Sequence, residues 1–332
     1  MGSRKPTIYD VARRCGVAAS TVSRTFSAPG RVNPTTQELV RNAAQEIGYE
    51  PRPLARFESP GRIRTLMLLI PDISNPYYSA LIKAAQARAN QHNYTLTLTD
   101  SDESPQVEAS NLRQVLAATS GGILATSRLS GEFVRQLARY RPLVMINREI
   151  ESVPSLVWDT VRGVREAVDH LAALGHRRIA YLSGPRNSWM NGTRWRAVQE
   201  ETAALGMRAV FLGPFTPDRS SGAEATAAVT AEPVTAAIAY NDLLAISVMQ
   251  HLRERNLHVP RELSLIGCDD IFGAELTVPG LTTISGPTSE IGRRAVDVVL
   301  SGPTVRGARD ETTTFSSHLV LRSSTAPPMN CN

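Results

Sequence analysis

The chain has little cysteine: three in 332 residues, Cys15, Cys268 and Cys331, with no CxxC pair among them. That argues against a disulfide framework or a zinc site, and it fits a reducing cytoplasm. Long apolar runs are also missing. The longest aliphatic stretch, Leu66 to Ile70, stops at Pro71, whereas a membrane span needs about 20 apolar residues. No apolar segment follows Arg4 and Lys5, so no secretory signal peptide is expected. Enzyme signatures are lacking too: no GxGxxG after the first strand, no GxxxxGK[ST], no HExxH and no GxSxG. The histidines do not cluster at metal-ligand spacing, and His170 and His176 read as structural residues at a helix end. One carboxylate pair, Asp269–Asp270, follows a strand, with no partner base or phosphate loop nearby in sequence. Neither catalysis nor a cofactor nor a metal is expected.

What the chain does have is unevenly placed charge. Residues 1–64 hold 11 Lys and Arg against 5 Asp and Glu, a net of +6. The remainder holds 25 against 26, a net of −1. A small basic head on a neutral body suits a polyanionic partner, though charge alone fits a solvated surface equally well.

The head reads as three short helices. Thr7 is a candidate N-cap for Ile8 to Cys15, with Asp10 completing an imperfect capping box. Ile8, Val11 and Ala12 share one face, and Gly16 follows at the turn. A second helix, Ala19 to Phe26, turns Val22 and Phe26 inward. A third, Thr35 to Ile47, directs Leu39, Val40, Ala43, Ala44 and Ile47 inward, with Pro34 at its start and Gly48 at its end. Two short helices joined by a glycine turn suggest helix-turn-helix, whose second helix enters the major groove. Its early residues here are Ala19, Ser20 and, one turn on, Arg24, which has the reach for a guanine edge or a phosphate. Thr7, Thr21, Ser23 and Thr36 are short donors suited to phosphate oxygens.

The run TIYDVARRCGVAASTVSRTFS, followed by VNPTT, EIGYEP and LAR, resembles the DNA-binding headpiece of the lac repressor (LacI/GalR) family. Cys15 and Ala18 stand where that family usually has Ala and Ser, and Thr25 and Ser27 replace its usual Val and Asn. The resemblance implies DNA contacts at Thr7, Ala19, Ser20, Thr21, Ser23, Arg24, Arg31, Asn33 and Thr36, and in the hinge at Leu54 and Arg56, with Phe57 as an alternative wedge where this chain departs from the family. Family members usually carry a minor-groove Leu wedge two residues after the Arg of the LAR-like run; Glu58 occupies that place here.

Three prolines and a glycine in residues 51–62 mark a linker between the headpiece, 1–50, and a body, 63–332. Beyond Arg64, strands are expected at 64–70, 94–99, 121–126, 143–147, 178–183, 236–240, 262–268 and 282–285. Helices are expected at 77–91, 106–117, 131–139, 160–174, 190–205, 220–231, 241–256 and 288–300. Such βαβα alternation implies doubly wound parallel sheets.

The segments IPDISNPYY, GGILATS, PLVMINR, HLAALGHRRIAYLSGP, RWRAV, AIAYNDLLAI, LSLIGCDDI and LTTIS are similar to the effector-binding core of the same family, which resembles periplasmic sugar-binding proteins. The implied fold is an all-α helix-turn-helix headpiece plus an α/β core of two Rossmann-like subdomains. These would comprise about 64–158 plus 288–315 and about 159–287 plus 316–325, joined by three crossovers. A ligand would bind between them, at the C-terminal ends of the strands. The similarity carries effector contacts to Tyr77, Tyr78, Thr126, Asn147, Arg148, Arg194, Phe215, Asn241 and Asp269. Bland roles compete: Tyr77 and Tyr78 as core aromatics, Arg148 in an ion pair with Asp159, and Asn241 as a helix N-cap.

The expected function is a ligand-responsive, sequence-specific transcription regulator, usually a repressor. Its partners would be a pseudo-palindromic operator in duplex DNA, a small effector, foremost a sugar, and a second copy of the chain. The tail SSTAPPMNCN has two adjacent prolines and no apolar heptad, which argues for a dimer rather than a tetramer. The alternatives are a sugar- or nucleoside-binding protein without DNA function, and a sugar-processing enzyme; the latter requires a catalytic constellation that the sequence does not offer.

Overall fold

The computed structural model describes residues 6–27, 29–49, 64–302 and 312–329. Between residues 62 and 63 the chain divides into two compact units.

In the first unit, α1 spans Ile8–Cys15, α2 Ala19–Ser27 and α3 Pro34–Glu46. The Thr7 hydroxyl and backbone N–H both donate to the Asp10 carboxylate, at 2.6 and 2.9 Å, which fixes the entry to α1. Gly16 ends that helix at φ 66°, in the left-handed region that spares glycine a Cβ clash. Asn33 caps α3 by accepting from the Thr35 N–H at 2.9 Å. Val11, Ala12, Val22, Val40, Ala43 and Ala44 form a small core. Leu39 does not join it. It is half exposed, because α3 points its narrow apolar stripe along Val40, Ala43 and Ala44 and leaves Leu39 beside it.

The second unit holds two six-stranded sheets. Sheet 1 contains β1 (Thr65–Ile70), β2 (Thr95–Asp100), β3 (Gly121–Ala125), β4 (Leu143–Ile146), β5 (Ser155–Asp159) and β11 (Thr312–Ser316), in the order β11-β5-β4-β3-β1-β2. Sheet 2 contains β6 (Arg178–Leu182), β7 (Arg208–Leu212), β8 (Ala236–Ala239), β9 (Ser264–Cys268), β10 (Thr282–Ser285) and β12 (His318–Val320), in the order β12-β10-β9-β8-β6-β7. Every pairing is parallel except β10 with β12. The central strands are buried along nearly their whole length, as parallel strands covered on both faces must be. β5, β7, β11 and β12 are strands that the sequence reading did not place.

The chain passes between the sheets at three points. It leaves β5 for α7 (Thr160–Ala173), which packs against sheet 2, and leaves β10 for α12 (Thr288–Leu300), which packs on α4 (Tyr77–Gln91) beside sheet 1. It crosses again at Ser317, between β11 and β12. The crossings are tied together. The Ser317 hydroxyl donates to the Asp159 carbonyl and accepts from the Gly163 N–H. Trp158 lies so close to Gly286 that a Cβ there would fall 2.1 Å from the indole Nε1.

His170 and His176 are structural, as expected. His176 is buried between Thr235, Ser264 and the Ala326 carbonyl, and His170 bonds Thr325. The tail beyond Arg322 is pinned to sheet 2 through Ser324 and Ala326. Among the described residues, no helix is long and apolar enough to cross a membrane, and no group of three or more His, Cys, Asp or Glu is placed to hold a metal ion.

Candidate effector cleft and DNA-facing surface

The carboxyl ends of the strands converge on a small cavity between the two sheets. Sheet 1 contributes Tyr77 and Tyr78 from the first turn of α4, Thr126 after β3 and Asn147 after β4; sheet 2 contributes Tyr240 and Asn241 after β8, Asp269 after β9, and Arg194 from α8 (Trp189–Ala204). Glu103, Asn75, Met190 and Pro217 complete the lining.

The two tyrosines are core aromatics and cavity walls at once. Both are buried and meet edge to face at 5.0 Å. The Tyr78 hydroxyl bonds the Thr126 hydroxyl at 2.8 Å, and the Tyr77 hydroxyl accepts from Asn147 Nδ2 at 2.8 Å. Asn147 Oδ1 in turn accepts from the Trp158 backbone N–H. Asn241 is an N-cap as well, accepting from the Leu244 N–H at 2.9 Å at the start of α10 (Asp242–Glu254), while its amide donates to the Pro217 carbonyl.

The electrostatic centre is Arg194. Its guanidinium donates to Thr160 Oγ1 at 3.1 Å, to the Tyr240 carbonyl and to Asp269 Oδ1 at 3.5 Å. It also lies 5.5 Å from the Trp158 ring and 5.2 Å from the Tyr240 ring, two cation–π contacts that help to hold it in place. Burial pushes the Asp269 carboxyl up to about 8, against the pull of Arg194.

Backbone strain gathers here. Glu103 (φ 54°), Thr126 (φ 49°), Asn147 (φ 56°) and Asp269 (φ 117°) all line the cavity with left-handed backbone, which costs any non-glycine residue energy and a β-branched one the most. Folded chains keep such conformations where the surroundings demand a side chain at that spot.

Two nominated residues stand apart from the lining. Arg148 donates to the carbonyls of Ser127 and Leu129 and makes no ion pair with Asp159, which caps α7 instead. Phe215 is buried in the second hydrophobic cluster with Leu182 and Ala239, because the loop after β7 folds it into sheet 2.

On the headpiece, Ser20, Ser23, Arg24, Arg31 and Asn33 are exposed, while Thr7, Ala19, Thr21 and Thr36 are half-buried. Thr7 and Asn33 are spent in part on capping their helices. Tyr9 on α1 is 67% exposed and was not nominated. Leu54, Arg56, Phe57 and Glu58 lie outside the described residues.

A model of the bacterial regulatory proteins of the lacI family matches residues 7–52, and one of the periplasmic binding protein-like domain matches 168–325. The HTH-type transcriptional regulator DegA of Bacillus subtilis (strain 168) is 32% identical, over 97% of this chain and 99% of its own. This chain belongs to the LacI family. Its fold is that of the lac repressor dimer bound to operator and an anti-inducer, with a TM-score of 0.76, 24% identity, and 97% of this chain and 100% of that one covered. A LacI family regulator from Enterococcus faecium with bound ribose is 26% identical, with a TM-score of 0.71, over 79% of this chain and 99% of its own. LacI-family relatives are DNA-binding transcription regulators, so this chain is a regulator rather than an enzyme.

Glu103, Tyr240, Met190 and Arg128 escaped the sequence reading. Arg128 and Glu103 meet across 25 residues, and Tyr240 stands one residue before the motif residue that was chosen. Only YND, with its Tyr beside Asn241, gave a usable sign.

Proposed function

We propose that this LacI-family regulator is a cytoplasmic repressor that works as a homodimer on a pseudo-palindromic operator. Its cleft binds a small hydroxyl-rich effector, a sugar or a nucleoside. The observation that carries the reading is the meeting of Arg194 and Asp269 from one sheet with Tyr77, Tyr78, Thr126 and Asn147 from the other, several of them held in strained backbone. Groups contributed by both sheets give a ligand different contacts in open and closed states, which is what allosteric coupling requires. Ribose in the Enterococcus relative supports the ligand class. A binding protein without DNA function leaves the LacI-type head and its exposed Ser20, Ser23 and Arg24 without a role.

The dimer reading draws on exposed apolar side chains. Phe272, Leu276 and Val278, on and just after α11 (Phe272–Leu276), are 69%, 69% and 87% exposed beside sheet 2. Scattered exposed residues need no explanation, but three within seven positions suit a contact surface. A mass near twice 36.1 kDa by light scattering is expected; a monomer or tetramer counts against it.

The test of the ligand is a thermal-shift screen of sugars and nucleosides. A true effector at 100 times its Kd adds about 2.7 kcal/mol of stability, and it should change operator affinity. A ligand that shifts the melting temperature without changing operator binding would remove the regulatory reading.

A further inference from the structure

A second ion pair stands at the cavity wall, with Glu103 on the lining and Arg128 behind it. Arg128, just beyond β3, donates from Nε and Nη2 to Glu103 Oε2 at 2.9 and 2.6 Å, and from Nη1 to the Thr126 carbonyl at 3.0 Å. Its side chain is only 2% exposed. Its own backbone N–H donates to Glu108 Oε2 at 2.8 Å, which holds the segment against α5 (Pro105–Val115). Glu103 is held from the other side. Asp102 and Glu103 adopt left-handed backbone in succession, fixed by the Asp102 N–H on Asp100 Oδ1 and the Glu103 N–H on the Pro71 carbonyl. Two strained residues in a row thus deliver one carboxylate to the cavity. Both Arg128 bonds end on Oε2, so the carboxylate keeps an oxygen for a ligand.

This pair mirrors Arg194–Asp269 across the cleft. Arg194 on the lining and Arg128 behind it are each already faced by a carboxylate and spend donors on a carbonyl as well. The first amides of α4 are also taken: the Tyr77 N–H by the Asn75 side chain and the Tyr78 N–H by the Asn75 carbonyl. A phosphoryl group entering here would meet two carboxylates, and no guanidinium that is not already bonded. Hydroxyls, by contrast, both donate and accept, and fit a wall of carboxylates, phenols and amides.

We propose that Glu103, braced by Arg128, is a ligand-contacting specificity residue, and that the cleft admits uncharged polyhydroxylated molecules while excluding their phosphorylated counterparts. This rests on the reading of the cavity as the effector site. It adds a residue and a charge rule to that reading.

The experiment uses the full chain, with D-ribose, cellobiose and adenosine as neutral probes and D-ribose 5-phosphate and AMP as their charged twins. Affinities are read by calorimetry for wild type, Glu103→Gln and Arg128→Met. Wild type should bind at least one neutral probe and bind its phosphorylated twin at least roughly tenfold more weakly. Glu103→Gln turns a charge-assisted bond into a neutral one, and should cost roughly tenfold or more toward the neutral probe. It also frees Arg128, so discrimination against the phosphate should narrow. Arg128→Met removes that cation, so the phosphate should stay excluded while neutral affinity falls. A phosphorylated twin that binds wild type as tightly as its parent overturns the charge rule alone. Unchanged neutral affinity in Glu103→Gln removes Glu103 from the site. If no probe, neutral or charged, binds wild type, the broader effector reading fails, and this one falls with it.

Discussion

The two units handle charge in opposite ways. The headpiece carries its excess cations in water: Arg24 and Arg31 are exposed, and its hydrophobic centre is six small or medium side chains. The cleft buries its charges and pairs them before any ligand arrives: Arg194 and Asp269 have side chains 6% and 8% exposed, tied to each other and to neighbouring carbonyl and hydroxyl groups. Unpaired charge in water gives reach and strength that salt can cancel. Paired charge under a low-dielectric cover gives shape and hydrogen-bond selection that salt hardly touches. One chain thus offers a polyanion one kind of surface and a small molecule the other.

Salt provides the sharpest way to break that contrast. If about six phosphates are neutralised per dimer, operator affinity should fall with a log–log slope near −5, about a thousandfold between 50 and 200 mM salt. Effector affinity should move by less than about threefold over the same range. Similar slopes for both would mean that the cleft does not work by buried, pre-paired groups.

Next in size, Asp269→Ala should lower effector affinity by roughly 10–150-fold, because a charge-assisted bond is lost and Arg194 is left uncompensated. Operator binding should survive in the same protein. Arg24→Ala should show the reverse, with weaker and less selective operator binding and an intact effector response. Loss of both activities in either variant would show that the two surfaces are not separable.

Smaller again is Gly286→Ala. The added methyl would press on the Trp158 indole and cost about 1–3 kcal/mol of overpacking, visible as a lower urea midpoint. The headpiece has no matching sensitivity at Gly30, where a Cβ meets open space. A Gly286→Ala protein as stable as wild type would show that the crossings are loosely packed.

A pH trend supplies the last test. The Asp269 carboxyl titrates near 8 in the folded chain and near 4 when unfolded, so folding favours its protonated form. Its contribution is complete below about pH 4 and is lost as pH rises toward 8. Asp269→Asn removes that loss, so the melting temperature of the variant should gain on wild type steadily from pH 5 to pH 8. A constant gap would mean that Asp269 is ionised throughout.

Much of this was legible in the residues. Val164, Val168 and Leu171 announce α7 by their period, and Leu66 to Ile70 announce a strand buried on both faces. β7 and β11 went unseen for a physical reason. They lie at sheet edges, where half the side chains face water and propensity is weak. β5 was hidden in a run that begins directly after Pro154. Residues at strand ends beside recognisable motifs, Asn147 and Asp269 among them, do line the cavity. Glu103 was missed, because what delivers it is a left-handed backbone at two acidic residues and a partner 25 positions away. Neither property has a local signature in sequence.

Trp158 gives the cleft an optical readout. Its indole stacks on Tyr77 at 6.3 Å and has the Arg194 cation 5.5 Å from its ring, while its backbone joins β5 to the first crossing. The colour of indole emission follows the local electric field. A ligand that draws the Arg194 guanidinium toward itself should therefore change the emission wavelength of Trp158. Trp189 and Trp195, both on α8, supply the background against which that change is measured, and replacing them by phenylalanine should isolate it. The protein then carries its own fluorescent gauge of effector occupancy, with no label attached.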